Sequence, residues 1–187
     1  MINQVNAVRH WADANQNTAF WLKTVLGANL IAVLAQFAVP LPFVSITLQS
    51  MGVLLIGFAL GRKAGVAAVL LYLLEGAMGL PVFAGGKAGF AVLTGSSGGY
   101  LFGYAAMAFV LGWASDKGAL KSVWKTVAAG LVGTAAMYAL GLAQLSLFVP
   151  EGKVLAYGLY PFVAGDILKA VAAAFLLAPT YRFFKKF

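Results

Sequence analysis

Asp166 and Lys169 stand three residues apart in an otherwise apolar run. Opposite charges at that spacing on a helix project from one face, about 5 to 6 Å apart. Lysine contributes ammonium donors and aspartate contributes acceptors, so the pair suits a group carrying both C=O and N–H, such as a urea, an amide or an amino acid. Charges inside apolar helices are rare and usually face a cavity or a bundle interior. The same two residues also read as a structural ion pair that neutralises itself. Glu75 is a third charge within an apolar run. Gln49 adds an amide with both hydrogen-bonding functions and Thr47 an alcohol, while Asn29, Gln36 and Ser45 read more readily as polar side chains bonded across helices. Tyr100 and Tyr104 share a helical face and read either as a site wall or as an interfacial aromatic belt. Tyr157 and Tyr160 carry the same two readings.

No comparable set supports catalysis. The chain has no cysteine and a single histidine, His10. Neither a metal centre nor a serine or cysteine nucleophile with a histidine partner can be assembled from that inventory, and no paired carboxylates fall on neighbouring faces. Binding without chemistry is the leading expectation, with no cofactor or metal. A small intramembrane lipid-modifying enzyme is the alternative from another class.

The elements that must position these residues are membrane helices. Of 187 residues, 62% are apolar and 10% charged, with a mean hydropathy of +0.90, whereas soluble domains are about one quarter charged. Uncharged runs of 38, 28 and 25 residues follow Lys23, Lys87 and Lys125, and a bilayer helix needs roughly 20. Apolar runs read against prolines, glycines and charges predict an all-α integral membrane protein with six spans, near 20–38, 46–61, 64–79, 99–114, 121–143 and 157–178. The "PLPF" segment at Pro40–Phe43 separates the first two spans and "GRK" the next two. Ten of the basic residues near span ends fall on the side of the termini, against Lys87 and Lys153 on the other. Both termini are therefore expected in the cytoplasm and the long loop between spans 3 and 4 outside. The net charge of +8 is absorbed by this orientation, so no nucleic acid is implied. Trp11, Trp21, Trp113 and Trp124 are expected as cytoplasmic-side anchors. Residues 1–187 read as one membrane domain with a substrate-binding bundle at 20–178 and a basic tail at 179–187. Residues 1–19 form either an amphipathic surface helix, with Val5, Val8, Trp11 and Ala12 on its apolar side, or a simple lead-in. They lack the features of a cleaved signal peptide.

The loop 79–98 is rich in glycine and lacks the GxxxxGK[ST] pattern of a phosphate cradle, since Ala88 follows Lys87. Its "PVF" hook and apolar "AGFAVL" suit a lid that dips over an outward-facing cavity; glycines that simply make tight turns are the other reading. In span 1, Ala28, Ala32 and Ala35 lie on one side beside Gly27. Such small residues let another helix approach, either a partner protein or a neighbour in the same bundle.

The segments "LPFVSITLQ" (41–49), "LLYLLEGAMGLPVFAGG" (70–86), "GSSGGYLFGY" (95–104) and "GDILKA" (165–170) together resemble the BioY family, the biotin-binding S components of energy-coupling factor transporters. The likeness covers positions 41–170. It implies a six-helix subunit in a prokaryotic plasma membrane that captures biotin from outside and works with a transmembrane coupling subunit (the T component) and two cytoplasmic ATPases that use ATP. It also implies that Asp166 and Lys169 hold the ureido head and that Gly79–Gly86, with Gly85 and Phe83, cap the site. Tyr100 matches a family aromatic, Glu75 falls beside a family polar position, and Gln49 forms a polar wall. Ala28 and Ala32 resemble the small-residue motif that contacts the coupling subunit. For the carboxylate tail, Lys87, Thr94 and Ser97 remain alternatives. Where members commonly read "GPTGGY" this chain has Ser96 and Ser97, which keeps a hydroxyl at 97, frees φ at 96 and implies a more mobile loop. An S component for another vitamin, such as thiamine or riboflavin, is the alternative within the transport class.

Overall fold

The computed structural model describes Trp11 and residues 14–185; Val5, Val8 and Ala12 of the expected lead-in lie outside them. The chain is mainly helical: α1 Gln16–Ala35, α2 Gln49–Ala77, a short α3 Phe90–Thr94, α4 Gly98–Asp116, α5 Val123–Leu145, a short α6 Val154–Gly158 and α7 Tyr160–Lys185. One departure from an all-helical fold is a two-residue antiparallel ribbon in which β1 Ala38–Val39 pairs with β2 Ile46–Thr47. Pro40 and Pro42 between the strands lack amide donors and favour extended backbone, so the chain leaves α1, turns and returns alongside itself. At the other terminus, α7 continues through Pro179 to Lys185, past the expected end of the last span at residue 178.

Within α2 the backbone breaks at Gly61, with φ 74° and ψ 179°. Residues with a Cβ rarely adopt that conformation. The arms 49–60 and 62–77 fold back on each other: the Gln49 amide donates to the Tyr72 hydroxyl, 23 residues on. The break would orphan helical backbone groups, and side chains of α4 take them up. Ser115 Oγ donates to the Phe58 carbonyl at 2.7 Å, and the Arg62 amide donates to Asp116 Oδ2 at 3.4 Å. Gly112 of α4 lies so close to the turn that a Cβ there would overlap the backbone of Gly61 and Arg62.

Among the described residues, four stretches are long and apolar enough to cross a membrane: α1, α2, α5 and Val154–Tyr181. Their outer surfaces carry exposed apolar side chains, including Trp21, Leu26 and Val33 on α1 and Leu168, Phe175 and Leu176 on α7. Hydrocarbon, not water, is the solvent that suits such a surface. The small-residue face of α1 is not part of it. Ala28 and Ala35 have no exposed surface, Ala32 is half-buried, and Gly27 packs on Ala68 of α2. The expectation of an outward docking face there is corrected: this stripe is used inside the bundle, where small side chains bring α1 and α2 together.

The Gly61 turn predicts a sharp contrast between two glycines. Gly112→Ala is expected to lower thermal stability in detergent by about 1 to 3 kcal/mol through overpacking against backbone. Gly165→Ala on α7, where an added Cβ meets nothing within 4 Å, is expected to be neutral or slightly stabilising. Equal melting of the two variants, followed by tryptophan fluorescence, would refute this account of the turn.

Candidate functional site

At the end of the bundle opposite the Gly61 turn, α2, α4, α5 and α7 surround a cavity of about 190 Å³. Asp166 lies in its wall, 5% exposed, and each carboxylate oxygen is engaged. Oδ1 accepts from Ser50 Oγ at 3.0 Å and from Lys169 Nζ at 2.9 Å, and Oδ2 accepts from the Tyr138 hydroxyl at 2.6 Å. Lys169 Nζ also donates to Ser50 Oγ at 2.9 Å and to the Thr47 carbonyl at 2.8 Å, which occupies its three protons. A carboxylate has about four lone-pair sites, so Oδ2 retains room for one more donor. A ligand carbonyl that displaced the Thr47 carbonyl from the ammonium would replace one neutral acceptor by another, at the cost of the partner that the Thr47 carbonyl loses.

Gln49 forms a second polar wall. Its Oε1 accepts from Thr47 Oγ1 at 2.9 Å while one of its two amide protons goes to Tyr72, leaving a proton available. Phe83 closes the apolar side. Its ring is 1% exposed, stands edge-on to Tyr72 at 5.5 Å and fills the space beside Gly76, where a Cβ would overlap it. The Tyr100 ring lines the cavity while its hydroxyl donates to the Gly158 carbonyl at 2.7 Å, an anchor to the end of α6.

Two loop segments cover the cavity. The first is the ribbon turn Pro40–Ser45. The second is loop 79–98, which contains a 3-10 turn at Ala84–Gly86 and α3, and takes positive φ at Gly79, Gly85, Gly86 and Gly89. Gln36, at the end of α1, accepts from the Gly86 amide at 3.0 Å, and its amide reaches the Val82 and Phe83 carbonyls at 3.4 Å. Gln144 of α5 donates to the carbonyls of Leu93 at 3.0 Å and Gly95 at 2.8 Å. Ser96 Oγ donates to the Phe43 carbonyl at 2.6 Å, so the residue expected to loosen the loop ties it to the other cover.

The structure brings Thr47, Gln49, Phe83, Lys87, Ser97, Tyr100, Asp166 and Lys169 to this cavity. Glu75 and Gly85 are not among its lining residues. The buried stripe of that α2 arm runs through Ala68, Tyr72 and Gly76. Glu75 lies about 100° around the helix from Gly76 and is half-buried elsewhere. Gly85, with φ 67°, shapes the turn without facing the cavity. Sequence reading missed Ser50 and Tyr138, two of the three hydrogen-bond partners of the Asp166 carboxylate. A serine next to Gln49 and a tyrosine deep in an apolar helix were the available signals, and neither is distinctive without knowing which helices face one another. Among the described residues no three His, Cys, Asp or Glu side chains come together.

The saturation of this network makes its removal asymmetric. Asp166→Leu leaves the Lys169 ammonium without its counter-charge, and a loss of about 3 kcal/mol in thermal stability is expected, the low end for a buried pair because Lys169 keeps some exposure. Adding Lys169→Met is expected to restore most of it. A double variant melting no higher than the single one would show that the two charges are not coupled.

The model of the BioY family matches residues 7–186. The biotin transporter BioY of Thermotoga maritima is 42% identical over 156 residues, covering 83% of this chain and 91% of that protein. The biotin transporter BioY of Rhizobium etli is 35% identical over 167 residues, covering 85% and 88%. The fold matches a crystal structure at 2.1 Å of the S-component for biotin from an ECF-type ABC transporter, with a TM-score of 0.80 at 27% identity over 90% of this chain and 93% of the other. A family match over nearly the whole length, joined to a loop-covered cavity built around one buried ion pair, places this chain in the BioY family.

Proposed function

We propose that this chain captures biotin from outside a prokaryotic plasma membrane, as the substrate-specific subunit of an energy-coupling factor importer. The observation that carries the reading is the pairing of Asp166 and Lys169 at one wall of a cavity covered by two loops. A ureido group presents N–H beside C=O. Its N–H suits the open site on Asp166 Oδ2, and its carbonyl suits Lys169 or the spare proton of Gln49. Phe83, Tyr100 and Tyr104 provide apolar surface for a fused ring system, as ligand pockets commonly do. Lys87 and Ser97, also on the cavity wall, suit the carboxylate of the tail.

In this reading the chain crosses the membrane six times, with the two arms of α2 as separate spans and α4 as another. The basic turn residues Arg62, Lys63, Lys117 and Lys121 mark the cytoplasmic end, as the positive-inside bias requires, and the cavity opens outward. The chain has no nucleotide-binding motif of its own, so energy comes from partners: a transmembrane coupling subunit and two cytoplasmic ATPases. With Ala28 and Ala35 buried, a coupling subunit would meet the exposed apolar side of α1 instead.

Isothermal titration of biotin into the detergent-purified protein tests this. Nanomolar binding corresponds to about −12 kcal/mol. Asp166→Ala and Lys169→Ala are each expected to weaken it by about 2 to 5 kcal/mol, with a folded protein confirmed by size exclusion. No heat from biotin with a folded wild type, or full affinity in both variants, would sink the assignment.

A further inference from the structure

The two covers of the cavity are tied down very unequally. Loop 79–98 is held to α1 by Gln36 and to α5 by Gln144. The Gly89 amide donates to the Gly76 carbonyl at 2.7 Å, and Phe83 is buried between Tyr72 and Gly76. The cover Pro40–Ser45 includes two prolines without amide protons. Among the described residues, its hydrogen bonding to the rest of the protein rests on Ser96 Oγ donating to the Phe43 carbonyl at 2.6 Å. Its other attachments are apolar, through buried Val44 and the Phe43 ring 5.0 Å from that of Tyr157.

We infer that Ser96 is a latch, a positioning residue that sets how fast the cavity exchanges its occupant by tying the first cover to the firmly held second one. The inference rests on reading the cavity as a biotin site. Ser96 and Phe43 both lie on the cavity wall, so their bond bridges the two covers without touching the Asp166 network. The bond joins a side chain and a backbone carbonyl of the protein itself. Breaking it therefore lowers the barrier to opening whether or not ligand is inside, and both association and dissociation speed up while the equilibrium changes little. A bond of this kind is equivalent to roughly a fivefold change in rate.

Stopped-flow biotin kinetics on the detergent-purified full chain, for wild type, Ser96→Ala, Ser96→Pro and Ser96→Thr, give the first test. Alanine and proline are expected to raise both rate constants about fivefold with less than a twofold change in Kd, and threonine, which keeps the hydroxyl, to restore wild-type rates. A second test needs no ligand. The chain has no cysteine, so spin labels placed by Pro42→Cys and Phe90→Cys report the distance between the covers without background. Ser96→Ala is expected to broaden that distance distribution. Unchanged rates, or a weakened Kd with an unchanged distance distribution, would overturn the latch. If wild type binds no biotin, the functional reading fails while the ligand-free distances still decide the latch, since equal distributions would refute it.

Discussion

A backbone amide or carbonyl held away from water without a partner costs several kcal/mol, and in a chain with this apolar exterior that constraint governs every place where a helix stops. Long helices satisfy it internally. The breaks do not, and three of them are served by side chains from elsewhere. Ser115 and Asp116 attend the Gly61 turn, Gln36 and Gln144 take up loop 79–98, and Ser96 takes up the Pro40–Ser45 turn. The polar residues scattered through the apolar sequence are thus largely the substitutes for water at irregular backbone. That is why the covers of the cavity can exist as loops at all.

The same constraint shapes the ionic site. Asp166 and Lys169 neutralise one another, yet an ion pair alone would leave lone pairs and protons stranded. Ser50, Tyr138 and the Thr47 carbonyl complete the set. The two readings of the pair, structural and ligand-holding, are compatible in this geometry. A network satisfied among the protein's own groups keeps the cavity folded, while one open lone-pair site on Asp166 leaves a way for a polar ligand to join it. Recognition through an open lone-pair site avoids stripping a bare charge of its partners.

The covers show how a local sequence signal can mislead. A serine at 96, where the family resemblance leads one to expect proline, frees φ, which taken by itself means mobility. In the fold the new hydroxyl faces the Phe43 carbonyl and supplies a tie that a proline ring has no donor to make. The small residues of α1 misled in a similar way. A stripe of alanines announces close helix approach without saying which helix approaches, and here Gly27 and Ala28 meet the chain's own α2.

Composition and uncharged run lengths by themselves determined a membrane-embedded helical protein, because only a lipid exterior can accommodate so much apolar surface. Pro40 and Pro42 set the end of α1, and the spacing of Asp166 and Lys169 set a shared face, since both depend on backbone geometry within a few residues. Resemblance in four segments supplied the family. What the tertiary structure alone decided is which distant side chains meet. Ser50 and Tyr138 reach Asp166 from positions 116 and 28 residues away in the chain. Glu75 turns off the buried stripe, and the two covers find their ties on α1 and α5 and on each other. Those outcomes depend on how the helices rotate and cross. Crossing is set by close packing at glycines such as Gly57 and Gly103, against Leu111 and Met137 of the neighbouring helices, contacts that no local pattern names.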